Sequence, residues 1–177
     1  MLQSKGLSQS FSINGTTQKF YGTDCYKLTS AVNWQNGSVW FSDKLDLSKP
    51  FDLEYTLNFG KSDAGADGIV LAIQTVGINA LGQNGGSLGF EGFSPALGIE
   101  FDEYQNINDP VYDHIALVQN GSVAHPTGSS IYTPVSALTN NGNIEDGKDH
   151  LVRIKWNPSG FQFEVFFDCV SRLNLSK

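Results

Sequence analysis

The residues best able to do chemistry lie within Gly98–Leu117, GIEFDEYQNINDPVYDHIAL. Glu100, Asp102 and Tyr104 alternate along this stretch, and alternate residues of a strand share a face. The chain then turns through Gln105–Asn108 into Asp109-Pro110 and returns as a strand that begins near His114. The expected product is a hairpin-like loop holding Glu100, Asp102, Asn106, Asp109 and His114. Carboxylate, amide and carbonyl oxygens suit Ca2+, which takes roughly six to eight hard oxygen ligands. A subset with one imidazole suits a transition ion such as Mn2+ at an octahedral O/N site. Asp102 and Asp109 each carry two oxygens and can bridge two neighbouring ions. Glu100 and His114 then complete the nitrogen-containing site, and Asn106 with the Tyr104 carbonyl completes the calcium site.

Each of these residues alone reads as part of a polar loop, with His114 an ordinary strand-end histidine. Together they do not. Burying Glu100 and Asp102 on one face is costly unless a cation neutralises them. The nearest basic residues in sequence are Lys61 and Lys148, both far along the chain. Catalysis is the competing use of paired acids. A β-sandwich glycosidase places a nucleophile, a helper Asp and an acid/base Glu at alternating positions, with two acids across the scissile bond. Glu100 and Asp102 fit the first two, but Tyr104 and Gln105 stand where the third should be, and Glu103 points to the opposite face. The set therefore reads as a binding site and not as an enzyme's.

The elements that must position these residues are strands. Phe51, Leu53, Tyr55, Leu57 and Phe59 alternate with Asp52, Glu54, Thr56 and Asn58, as in a half-buried strand. Leu151–Trp156 sets Val152, Ile154 and Trp156 on one face. Phe161–Asp168 does the same with Phe161, Phe163, Val165 and Phe167. The continuous apolar run Gly68–Gln74 suits a central strand covered on both faces. Ser38–Ser42, Ala96–Tyr104 and His114–Gln119 are further candidates. Turn formers fall between them, at Asn36-Gly37, Lys49-Pro50, Asn84-Gly85-Gly86, Asn120-Gly121, Asn141-Gly142 and Pro158-Ser159-Gly160. No window holds a convincing amphipathic helix. With no repeat and no linker, the 177 residues read as one all-β domain, a β-sandwich or jelly roll spanning 1–177.

Composition agrees. Charged residues are 16%, below the roughly 25% of ordinary soluble domains, and aromatics are 12%. Few charges and many aromatics exclude intrinsic disorder. The net charge of −7 argues against a nucleic-acid backbone as partner. No apolar run reaches the roughly 20 residues of a membrane span, and the polar Met1–Gly6 is not a signal peptide. Cys25 and Cys169 offer one disulfide or two free thiols. Asn14, Asn36, Asn120 and Asn174 open sequons that matter only on a eukaryotic secretory route. His125 and His150 have no matching partners in the pattern and read as surface residues.

Glu100-Phe-Asp102-x-Tyr104-x-Asn106, Asp109-Pro110 and His114-Ile115 closely resemble the metal-binding loop of the legume-type (L-type) lectins. Ala66-Asp67-Gly68 resembles that family's sugar-binding aspartate motif, and Gly85-Gly86-Ser87-Leu88-Gly89 its glycine-rich loop. The resemblance runs from about Val39 to Asp168, and the SVWFS and NIEDGKDHLVRIKW segments look more like the bacterial surface-protein branch. It implies a concanavalin-like jelly-roll sandwich with a sugar pocket above two metals. Carried over, Glu100, Asp102, Asp109 and His114 match the transition-metal ligands; Asp102, the Tyr104 carbonyl, Asn106 and Asp109 match the calcium ligands. Asp67, Gly85, Gly86 and Asn106 match the sugar contacts, with Tyr104 the candidate for stacking under the ring and Phe90 and Tyr112 nearby. The Ala66–Asp67 peptide is expected to be cis. The implied function is a metal-dependent carbohydrate-binding module, extracellular or at the cell surface; the further alternative is an adhesion domain that keeps the metals and binds no sugar.

Two departures stand out. Only Ile107 and Asn108 separate Asn106 from Asp109, so Asn108 is a substitute calcium ligand. The chain also stops at Lys177, short of the family's last strands and of the loop that selects the monosaccharide. A missing strand would leave a sheet edge open to a second copy, making a homodimer possible.

Overall fold

A computed structural model describes residues 10–125 and 133–176. Its strands are β1 (Phe11–Gly15), β2 (Gln18–Lys19), β3 (Tyr26–Lys27), β4 (Gly37–Phe41), β5 (Phe51–Leu57), β6 (Gly68–Gln74), β7 (Ala96–Asp102), β8 (His114–Gln119), β9 (Val135–Ser136), β10 (His150–Asn157), β11 (Gln162–Phe167) and β12 (Val170–Leu175). One 3-10 turn, Gly85–Ser87, stands among them, and there is no α-helix among the described residues. Two four-stranded antiparallel sheets, ordered β12-β11-β10-β5 and β6-β7-β8-β9, make a jelly-roll sandwich; β1-β4 and β2-β3 form two small ribbons.

The alternation read in the sequence is what closes the sandwich. Ile99, Phe101, Ile115 and Leu117 from one sheet meet Val152, Ile154, Phe163, Val165 and Phe167 from the other. Phe51, Tyr55, Leu57 and Phe59 pack against them, while Asp52, Glu54 and Thr56 remain exposed. Burying such side chains contributes roughly 1.5–3 kcal/mol each, and this layer is the main source of stability. A second, smaller cluster of Ala80, Phe90, Phe93 and Val118 lies on the other side of β7 and β8, with Trp40, Val70 and Ala72 against it.

Those two clusters explain β6. Leu71 packs on the main core while Val70 and Ala72 pack on the second, so both faces are covered, as the apolar run implied. Its place is different from the one expected: β6 is an edge strand of its sheet, not a central one. The opposite sheet covers one of its faces, and loop residues with Trp40 of β4 cover the other, which gives the same sequence signature. Phe161 also departs from expectation. It sits in the β10–β11 turn at φ 53, 58% exposed, with its ring edge-on to Trp156.

Cys25 and Cys169 are both exposed and free, so the disulfide is not formed. His150, expected at the surface, is buried. It stacks on Phe167 at 4.8 Å, with Nδ1 2.8 Å from Asp168 Oδ2 and Nε2 3.1 Å from the Ile144 carbonyl. The ring's flat apolar faces and two polar edges let it join the core wherever both edges find partners.

Candidate functional site

β7 and β8 pair in a register that sets Asp102 opposite His114 and Glu100 opposite Ala116. Because Ile99, Phe101 and Ile115 face the sandwich core, Glu100, Asp102 and His114 face the other way and share one surface. That surface is not open to water: Glu100 is 1% exposed, Asp102 3% and His114 2%. The strand ends at Asp102, so Tyr104 belongs to the turn and not, as the alternation suggested, to the same strand face; it is 48% exposed.

The turn is held by its own acids. Asp102 Oδ1 accepts the Tyr104 N–H at 2.8 Å, and Asp109 Oδ2 accepts the Asn106 N–H at 2.9 Å. The Asp109 N–H returns to the Asn106 carbonyl at 3.2 Å. The Asn106 amide nitrogen lies 3.5 Å from the Tyr104 carbonyl, so the amide and that carbonyl converge. Asn108 is exposed and takes the left-handed conformation at φ 77, which Asn tolerates at single positions.

Gly86 meets this turn from the opposite side. A Cβ there would stand 3.2 Å from Asn106 Oδ1 and 3.4 Å from its Nδ2, so the backbone of the glycine-rich loop rests against the Asn106 amide. Gly85 takes φ 65, and a Cβ there would meet nothing within 4 Å. Asp67 reaches the same region through β6, whose Gly68 pairs with Asp102. The Ala66–Asp67 peptide is cis, as expected, and the Asp67 carbonyl accepts the Glu103 N–H at 3.1 Å. Asp67, Gly86, Tyr104 and Asn106 are thus gathered beside the acids. Phe90 is fully buried in the second cluster and offers no face for a ligand to stack on.

The electrostatics follow from burial. Desolvation, then repulsion by Asp102 and Asp109, pushes the Glu100 carboxyl up to about 9. Asp102 is pushed up to about 7, again by desolvation first. Burial also raises Asp67 and lowers His114 to about 4. Both Glu100 oxygens are buried without a hydrogen-bond partner. Native proteins rarely leave such groups unpaired, and a cation is one of the standard ways to satisfy them.

The sequence reading missed His125. Expected at the surface, its side chain is only 8% exposed, with Nε2 3.4 Å from Glu100 Oε2 and 3.7 Å from Asp109 Oδ1. Glu100, His114 and His125 each bring a ligand-type atom into one cluster that could hold a metal ion. His125 lies past β8, where no periodic pattern points it inward, and only the path of the chain after Asn120 brings it back.

The model of the legume lectin beta-barrel domain matches residues 2–175. The chain belongs to the L-type lectin family. The lectin of Bauhinia forficata, solved in complex with GalNAc, superposes with a TM-score of 0.70 at 16% identity, covering 98% of this chain and 79% of that one. The exoplasmic/lumenal domain of VIP36, in a Ca2+/Man3GlcNAc-bound form, gives 0.67 at 17% identity, covering 94% and 70%. At these identities the likeness is one of fold. In sequence, the chain is 33% identical over 96 residues to the pesticidal crystal protein Cry22Aa of Bacillus thuringiensis; the match covers 54% of this chain and 13% of that protein. Family membership makes this a carbohydrate-binding lectin domain.

Proposed function

We propose that the chain binds glycans through a pocket of Asp67, Gly85, Gly86, Tyr104 and Asn106, organised by divalent cations beneath it. The carrying observation is the meeting of Gly86 with the Asn106 amide, on the turn that follows the strand bearing the orphaned Glu100 carboxylate. Asp102, Asp109, Asn106 and the Tyr104 carbonyl are the hard oxygen set that Ca2+ prefers. Glu100, Asp102, Asp109 and His114 are the set for a transition ion, Mn2+ in the simplest family pattern. The donor types fit: among the described residues, no Lys or Arg is a hydrogen-bond or ion-pair partner of Glu100, Asp102 or Asp109. A cation supplies fixed positive charge there. The chain's own residues do the recognition. Asp67 accepts from sugar hydroxyls, the Asn106 amide donates, and the glycine backbone lets the ring approach.

The site is a binding site and not a catalytic one. The sealing of Glu100 from solvent supports binding over catalysis. Exposure to extracellular glycans suits such a module, and the Bacillus relative supports a bacterial branch. β12 lies at the edge of its sheet among the described residues, which is where a second copy would pair. The test is glycan-array binding. Signal should vanish on EDTA treatment and return with Ca2+, and Asp67→Ala should abolish it while leaving the fold intact by circular dichroism. Tight metal binding with a blank array would favour the adhesion role instead.

A further inference from the structure

We infer that His125 is a direct ligand of the transition-metal position, giving it a core of two imidazoles and one carboxylate suited to Zn2+ rather than Mn2+. The inference rests on the cation-organised reading above and concerns the identity of the ion. Three atoms converge: His114 Nε2, His125 Nε2 and Glu100 Oε2. The edges of this triangle are 3.1 Å between the two imidazole nitrogens, 3.4 Å from His125 to Glu100 and 3.8 Å from His114 to Glu100, with Asp109 Oδ1 outside it, 3.7 Å from His125 Nε2. A tetrahedron with bonds of about 2.0–2.1 Å has edges of about 3.3–3.4 Å, and the observed edges bracket that value.

Three further observations point the same way. Glu100 is buried, and neither of its oxygens has a hydrogen-bond partner, so Oε2 is left to face the two Nε2 atoms. The His114 ring also engages the Tyr112 backbone, the kind of outer contact that fixes a ligating imidazole's orientation. The two rings meet edge-on, at 79°, with centroids 5.0 Å apart, and bring their Nε2 atoms within 3.1 Å of each other instead of stacking. Ligand chemistry then selects the ion. Imidazole suits Zn2+ and its neighbours late in the first row, whereas Mn2+ prefers carboxylate, carbonyl and water oxygens. With His125 in the transition-metal set, Asp102, which the family pattern shares between both ions, would serve the calcium position alone.

The test uses the full chain stripped with a chelator, then titrated calorimetrically with Zn2+ and, separately, with Mn2+ in the presence of Ca2+. Any N/O site binds Zn2+ more tightly than Mn2+, so the preference itself decides nothing. The variant decides. His125→Ala should weaken Zn2+ by at least ~10-fold and Mn2+ by less than about threefold, and should change the visible d–d bands of bound Co2+. His125→Asn, which keeps polar contacts at the same place, should give the same result if Ala fails to fold. Unchanged Zn2+ affinity and an unchanged Co2+ spectrum in either folded variant overturn the inference, as does a wild-type chain that binds neither ion. Glycan binding by the wild-type protein in Ca2+ is read separately. Its loss would sink the pocket assignment, whereas unchanged Zn2+ affinity beside intact glycan binding would sink the role of His125 alone.

Discussion

Two clusters of buried acids flank the β7–β8 hairpin, one residue apart in sequence. On one side stand Glu100, Asp102 and Asp109 with His114 and His125. On the other stand Glu103 and Asp113, which follow Asp102 and precede His114, together with Glu145. The first cluster has imidazole nitrogens beside its carboxylates and leaves both Glu100 oxygens without hydrogen-bond partners. The second has a backbone donor and a shared hydrogen bond: Asp113 Oδ2 accepts the Ile144 N–H at 2.7 Å, Glu145 shares a hydrogen bond with Asp113, and only one oxygen each of Glu103 and Glu145 is buried without a partner. Glu103 and Glu145 are pushed up to about 8 and about 7, chiefly by burial. The same electrostatic problem thus has two solutions. On the proposed reading, side-chain nitrogens and a cation would neutralise the first cluster, whereas shared protons and main-chain donors would neutralise the second.

The largest effect that would separate the two is metal removal. A cation bound only by the folded chain stabilises it by about 4 kcal/mol at a thousand times its dissociation constant. For a domain of this size that is roughly 10 °C of melting temperature. Chelation should therefore lower the midpoint of thermal unfolding by that order. Glu100→Gln should remove most of this chelator sensitivity, and Glu145→Gln should preserve it. Equal sensitivity in the two variants would erase the distinction between the clusters.

The first cluster was more legible in the sequence than the second, for a physical reason. Glu100, Asp102, Asn106 and Asp109 lie on one strand end and one short turn, so local geometry alone brings them together. His114 follows because antiparallel register sets it opposite Asp102. His125 and Glu145 arrive from loops whose course is set by the tertiary fold, and neither carries a periodic signal. The strands were readable where one face is wet, as in β5, and were misplaced where loops cover the second face, as in β6. Gly98 illustrates a constraint that no pattern shows: a Cβ there would stand 2.8 Å from both Val118 Cγ2 and Val70 Cγ1. Its glycine keeps the second cluster of apolar side chains close to β7.

A smaller effect should distinguish charge from hydrogen bonding in the second cluster. Asp113→Ala removes the acceptor of the Ile144 N–H, and an unsatisfied buried donor costs about 1–3 kcal/mol. Asp113→Asn keeps an acceptor oxygen and removes a negative charge from beside Glu145. Urea unfolding should show a loss of about 2 kcal/mol for Ala and little change for Asn. A loss as large for Asn would mean that the charge of Asp113, and not its accepting oxygen, holds the loop.

The smallest effect is a slope with pH, and it tests whether protons neutralise the second cluster. Glu145 and Glu103 have folded values raised above the ordinary 4.5, to about 7 and about 8. The native state therefore binds more protons than the unfolded chain between those limits. Stability rises with pH only where the unfolded state binds more protons, so here it must fall. The contribution is whole below about pH 4.5 and is lost as pH climbs through 7 and 8. Measured with metals saturating, so that Glu100 and Asp102 stay deprotonated, the unfolding free energy should decline over that window. Glu145→Gln mimics the protonated carboxyl at every pH, so it should flatten the decline and leave the variant the more stable of the two at pH 8. A wild-type curve that rises across the window would show that these carboxylates are ionised and held by cations, as in the first cluster.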